Sequence, residues 1–160
     1  MSDTKLEDNE KIEMLKYNIS RFDHYYASVN FKSSFLVVGN ITILGFLLSS
    51  VEKINICIFY SHIVMITVSL IFVLLAIKPY LNSYEGKDSL VFFNDIENMK
   101  NSVFVNKIDS LTKENYIKDL QEQNLILANG LKIKFNHLNK STIIFILNIG
   151  LLFFNILLMG

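Results

Sequence analysis

Three long stretches without a charged side chain constrain this chain more than any other feature. Residues 33–51, 54–77 and 141–160 contain no Asp, Glu, Lys or Arg. Each is about 19 to 24 residues long, and an α-helix needs about 20 residues to cross the hydrocarbon core of a bilayer. These lengths exclude a water-soluble globule. They predict an all-α integral membrane protein with transmembrane helices at 33–51, 56–78 and 141–159.

The basic residues indicate how the three helices are oriented. Lysines and one arginine recur in 1–32 and again in 79–140, whereas the short link between the first two helices holds only Lys53. Basic residues mark the cytoplasmic side of short loops. The sequence therefore predicts a cytoplasmic N-terminal helix at 1–32, a cytoplasmic helical region at 79–140 and an external C-terminus. Because acids balance the bases, no nucleic-acid surface is expected.

Apolar residues at spacings of three and four form a narrow seam on each cytoplasmic segment, which is typical of coiled-coil packing. We expect the two seams to pair as a helical stalk, with the first helix continuing into the membrane and another helix starting near Ser89. The seam residues are Ile12, Leu15, Ile19, Phe22, Tyr26 and Val29 in the first segment, and Ile117, Leu120, Leu127, Leu131 and Leu138 in the second.

Residues that could perform chemistry are few. The only cysteine, Cys57, cannot form an internal disulfide or a cysteine-ligated tetrahedral zinc site. The three histidines, at 24, 62 and 137, lie on separate segments without Glu or Cys at metal-ligand spacing. The chain has no phosphate-cradling glycine loop and no nucleophile elbow. We therefore expect no metal, no cofactor and no enzymatic activity.

Two cytoplasmic groups are candidates for ligand binding. Arg21 and Asp23 flank a seam residue, so they are either solvated charges or the rim of a pocket that holds a small anion in the planar fork of the arginine. The second group combines two rings with an amide and a carboxylate. Its rings either pack in the core or stack on a base, whose edge the polar side chains then contact. This second group comprises Phe92, Phe93, Asn94 and Asp95.

Four polar residues lie within the predicted membrane helices. Asn40 is in the first helix, His62 in the second, and Asn148 and Asn155 lie seven residues apart on one face of the third. An asparagine in lipid usually hydrogen-bonds to a neighbouring helix. An ionisable residue in a membrane helix is a functional candidate, although His62 is near the headgroups. The alternative is that these residues line a water path between subunits.

The order of these segments carries a family resemblance. The sequence Asn-Ile-Ser-Arg-Phe-Asp at 18–23 precedes two closely spaced crossings, which end at Lys78-Pro79. Ser-Leu-Val-Phe-Phe-Asn-Asp-Ile follows at 89–96, then Tyr116 in an acidic stretch. A long helix containing Lys-Ile-Lys-Phe at 132–135 leads to the last crossing. This arrangement resembles the transmembrane effector family of the Pycsar antiphage systems.

The resemblance implies a function in bacterial defence. In this family a separate partner cyclase makes cyclic CMP or cyclic UMP on infection, the effector senses it on the cytoplasmic side, and the inner membrane is then impaired. Growth arrest or death of the infected cell follows. Three crossings are too few for one chain to enclose a pore comfortably, so a homo-oligomer is expected. The alternatives are a ligand-independent, holin-like toxin and a membrane scaffold that binds a protein partner.

Overall fold

The computed structural model describes residues 6–79 and 88–159, and within these ranges the chain forms helices and short connections without a β-strand. Three of the helices are long and apolar enough to cross a membrane, which confirms the all-α membrane fold. Parts of the predicted regions 1–32 and 79–140, namely 1–5 and 80–87, lie outside the described residues. The helices are α1 (Asp8–Ser49), α2 (Ile56–Ile77), α3 (Phe93–Asn98), α4 (Asn101–Asp109) and α5 (Lys113–Met159), with a 3₁₀ turn at Val51–Lys53.

The ends of the helices follow from local chemistry. Acidic residues in the first turn of α1 favour its start, because they lie near the positive end of the helix dipole. The Asn55 side chain caps α2 by accepting a hydrogen bond of 2.9 Å from the Cys57 backbone N–H. Pro79 follows shortly after α2 ends and cannot continue it. Thr112 Oγ1 accepts from the Asn115 N–H at 3.3 Å and caps α5.

The chain divides into two compact units, each described separately below. The small-helix unit comprises Met1–Tyr25 and Pro79–Leu131, and the three-helix unit comprises Tyr26–Lys78 and Lys132–Gly160. Helices α1 and α5 each supply residues to both units.

In the three-helix unit, α1, α2 and α5 pack through buried positions that alternate at three and four residues, the spacing of coiled-coil packing. An apolar cluster of Ile43, Leu47, Ile54 and Ile66 forms part of this core. The outward side chains are also apolar, as expected of helices that face lipid rather than water. They include Phe35, Val38, Ile41, Val64, Leu74, Ile146, Leu147 and Phe153.

In the small-helix unit, the first part of α1 packs against the first part of α5, so the predicted pairing of the two seams is confirmed. Leu15 and Leu120 are buried. Asn124 Nδ2 donates to the Leu15 carbonyl at 3.1 Å and to the Leu120 carbonyl at 2.8 Å. The Asn124 side chain, which interrupts the α5 seam, therefore joins the two helices by donating to a backbone carbonyl of α1.

The helix predicted to begin at Ser89 does not begin there. Residues 89–92 form a turn, α3 begins at Phe93 and has only six residues, and α4 follows after Met99 and Lys100. The amphipathic pattern indicated a helix correctly, but side-chain hydrogen bonds to the backbone N–H groups of this segment replace its first helical turn.

Candidate functional site

The turn at residues 89–92 is held by two carboxylates and one hydroxyl. Asp119 of α5 accepts hydrogen bonds from the Ser89 hydroxyl at 2.6 Å and from the Leu90 N–H at 2.8 Å. Ser89 Oγ in turn accepts from the backbone N–H groups of Val91 and Phe92, each at 3.0 Å. Because a carboxylate forms stronger hydrogen bonds than a neutral acceptor, this turn is fixed firmly to α5.

The four candidate residues that follow the turn have different environments. Phe92 is buried, whereas Phe93 is 64% exposed, and their rings meet edge to face at a centroid distance of 5.2 Å. Asp95 accepts from the Ser89 N–H at 3.1 Å, and the backbone carbonyl of Asn94 accepts from Asn98. Asp95 therefore already serves the turn, while the exposed ring of Phe93 remains available for stacking.

Arg21 and Asp23 are exposed on α1. Arg21 donates to the Tyr25 hydroxyl at 2.8 Å, and its guanidinium lies 5.7 Å from the ring centroids of both Tyr17 and Tyr25. The hydrogen bond to Tyr25 raises the pKa of Arg21, so the guanidinium stays charged. In the described part of the chain, no hydrogen bond, ion pair or ring contact joins Arg21 or Asp23 to residues 92–95.

A cavity of about 470 Å³ lies beside the turn, within the small-helix unit. Its volume falls within the range of about 300 to 1,000 Å³ that is typical of small-molecule sites. The residues that line it come from the segment before α3, from the end of α4 and from the first turns of α5. They are Asp88, Ser89, Leu90, Lys107, Ser110, Leu111, Asn115, Lys118, Asp119, Glu122 and Gln123.

The ligand-binding candidates predicted from the sequence include none of these lining residues. Sequence reasoning identified the neighbouring segment at 92–95 but not Lys107, Lys118 or Gln123, because their spacing forms no known motif. One signal was present: Gln123 lies directly beside Asn124, which interrupts the α5 seam, and a glutamine buried there would need a polar partner. Among the described residues, no cluster of three His, Cys, Asp or Glu side chains could hold a metal ion.

The three-helix unit contains a polar layer around His62, which is fully buried. His62 Nδ1 donates to Asn148 Oδ1 at 2.5 Å, and Asn155 Nδ2 donates to His62 Nε2 at 3.2 Å. These partners fit a neutral imidazole with its proton on Nδ1, because Asn155 Nδ2 is a donor. The structure thus brings together three of the four candidate membrane residues.

A second layer contains the fourth candidate, Asn40. Its Nδ2 donates to the Leu36 carbonyl at 2.7 Å and to Ser69 Oγ at 3.0 Å. Ser141 Oγ lies 2.9 Å from Ser69 Oγ and donates to the Ser69 carbonyl at 3.0 Å. In this layer α1, α2 and α5 each supply one polar side chain, as in the interhelical contacts typical of membrane bundles.

Polar residues recur at every seventh position of α5, at Lys134, Ser141, Asn148 and Asn155. At 1.5 Å per residue they extend over about 31 Å, close to the thickness of the hydrocarbon core. Lys134 Nζ donates to the carbonyls of Ala76 at 2.7 Å and Lys78 at 2.6 Å. All four residues are buried in the monomer.

Not every polar atom in this core has a partner. Among the described residues, Ser33 Oγ, Asn40 Oδ1 and Asn148 Nδ2 are buried without a hydrogen bond. Burying a polar group without a hydrogen bond costs about 1 to 3 kcal/mol in proteins. These unbonded polar atoms therefore lower the stability of the three-helix unit.

A family model described as the Pycsar effector protein domain matches residues 14–160, which is nearly the whole chain. No curated protein and no solved structure gives a significant match.

Proposed function

The chain belongs to the family of the Pycsar effector protein domain, as the order of its segments indicated, and we propose that it senses a cyclic pyrimidine mononucleotide and then impairs the membrane. It is an antiphage defence effector and a membrane protein. In this proposal, a partner cyclase supplies the ligand, which is cyclic CMP or cyclic UMP. Binding of the ligand then leads to damage to the inner membrane of the infected cell.

One observation carries this proposal: a unit with a polar cavity and a unit with membrane-length helices share two continuous helices. α5 begins with cavity residues such as Lys118 and carries the polar positions Ser141, Asn148 and Asn155 further along. A ligand shifts a conformational equilibrium only by its different affinity for the two states. Binding at the start of α5 would favour one packing of that helix, and α1 provides a second covalent connection.

The polar core supports the proposed effect on the membrane. In the monomer the side chains of Asn148 and Asn155 are hydrogen-bonded to His62, and Asn40 is buried in the separate layer described above. Three helices enclose little space, so we propose that several protomers assemble and that these side chains then face a shared water path. Some buried polar atoms in this core have no hydrogen-bond partner. This lowers the free-energy cost of the rearrangement, because water or another protomer can supply the missing partners.

We place the protein in the bacterial inner membrane, with the N-terminus and the small-helix unit in the cytoplasm and the C-terminus outside. The distribution of basic residues supports this orientation. It places the cavity in the compartment where a nucleotide second messenger is made. The protein requires no catalytic group for this function.

The test is leakage from liposomes that contain the purified full-length chain and an enclosed dye. We expect release on addition of cyclic CMP or cyclic UMP and little release with cyclic AMP or cyclic GMP. Leakage without any nucleotide would favour the holin-like toxin. If the folded protein causes no leakage with any of these nucleotides but forms a stable complex with a protein partner, the scaffold is favoured.

A further inference from the structure

We propose that the cavity beside the 89–92 turn is the nucleotide site, where Lys118 binds the cyclic phosphate and Gln123 pairs with the edge of the pyrimidine. This inference rests on the proposed function and names the residues that would recognise the ligand. It moves the site away from Arg21 and Asp23, whose contacts are confined to α1 or absent among the described residues.

The acidic residues that line the cavity are already engaged. Both oxygens of Asp119 accept hydrogen bonds from the turn. Asp88 Oδ2 lies 2.7 Å from Lys107 Nζ in an ion pair, and Glu122 has an interaction partner of its own. The negative charges of Asp119 and Asp88 are therefore largely offset by neighbouring donors. An entering anion meets less repulsion than the count of carboxylates alone would indicate.

Of the two described lysines that line the cavity, Lys107 is paired with Asp88 and Lys118 remains available. It is exposed at the cavity, and no described residue forms an ion pair or hydrogen bond with it. A cyclic mononucleotide carries one negative charge on its phosphodiester, which one ammonium group can balance. The phosphate then forms a charge-assisted hydrogen bond, roughly twice as strong as a neutral one.

Gln123 provides the second recognition group. Its residue surface is only 3% exposed, it lines the cavity, and its side chain has no hydrogen bond to any described residue. A primary amide carries both a donor and an acceptor. It can therefore pair with cytosine, which presents an acceptor beside a donor, or with uracil, which presents them in the reverse order, after a simple rotation of the amide. Asn115, also at the cavity, offers a second amide.

The test is titration calorimetry of the full-length protein in detergent with cyclic CMP and cyclic UMP. Removing the charge by Lys118→Met should weaken binding about 10-fold to 100-fold, the usual value of a hydrogen bond to a charged group. It should also reduce the dependence of affinity on salt, because exposed charges are screened. Gln123→Leu should weaken binding by about 10-fold, since one paired amide is lost.

Two matched controls separate these effects from general damage. Lys16→Met removes an exposed lysine of α1 in the same unit, and Gln121→Leu removes an exposed glutamine of α5 that does not line the cavity. Both should bind like the unaltered chain. If Gln123→Leu fails to fold, the exposed Lys118 variant still decides the question.

The outcomes distinguish the site from the function. Loss of affinity confined to the two cavity variants supports the site. Unchanged affinity in a folded Lys118→Met protein, with binding by the unaltered chain intact, overturns the site and leaves sensing in place. No binding of any cyclic mononucleotide by the unaltered, folded chain overturns both.

Discussion

The carboxylate of Asp119 is expected to control the stability of the turn that borders the cavity. Asp119→Ala removes two hydrogen bonds, to the Ser89 hydroxyl at 2.6 Å and to the Leu90 N–H at 2.8 Å. A hydrogen bond to a charged group contributes about 1.5 to 3 kcal/mol. Because Asp119 is only half-buried and water can reach the freed groups, the lower value applies, so we expect a total loss of about 3 kcal/mol.

A loss of about 3 kcal/mol raises the population of the opened turn about 100-fold, since each 1.4 kcal/mol is a factor of ten. Hydrogen exchange measured by mass spectrometry on the full-length protein reports this population through the backbone amides of residues 90–92. Their protection should fall about 100-fold, whereas the membrane segments keep theirs. Asp109→Ala, which removes an exposed carboxylate at the end of α4, should change nothing. A loss of protection below about threefold would refute the assigned role of Asp119.

Three further predictions concern the three-helix unit. His62→Leu leaves both bonded asparagines without their partner and should lower the free energy of unfolding in mixed micelles by about 1 to 3 kcal/mol; no change would contradict the polar layer. Gly39→Ala places a methyl group 2.5 Å from the ring of Phe145, so it should cost about 1 to 3 kcal/mol, whereas Gly45→Ala meets no neighbour and should be harmless. Equal melting temperatures for the two glycine variants would count against this packing. Cys57, exposed near the start of α2, should react with a membrane-impermeant maleimide in intact spheroplasts, and labelling only after permeabilisation would reverse the orientation.

Local sequence patterns determined the secondary structure well wherever the relevant physics is local. Charge-free stretches of membrane length predict spanning helices because the bilayer requires each backbone group to be bonded within its own helix. The seam spacing predicts which faces of α1 and α5 meet. The same reasoning misplaced the start of the helix after Ser89, since the hydrogen bonds that replace its first turn come partly from Asp119, thirty residues away.

The candidate membrane residues also show the limit of what local sequence patterns can predict. Polarity within an apolar helix was enough to select Asn40, His62, Asn148 and Asn155. Polarity alone does not predict that three of these residues form one layer, while Asn40 joins Ser69 and Ser141 in another. Such pairing depends on the depth at which each helix packs against the next, which no single helix specifies.

By itself, the sequence determined the all-helical membrane fold and the faces that are buried, because these follow from composition and periodicity along one segment. The order of its segments carried the resemblance to the family. Only the tertiary structure decided which polar groups meet. The cavity combines three segments whose residues share no motif, and its available groups, Lys118 and Gln123, are defined by what their neighbours already bind. Whether a polar side chain is free for a ligand is a property of its surroundings, and long-range packing sets those surroundings.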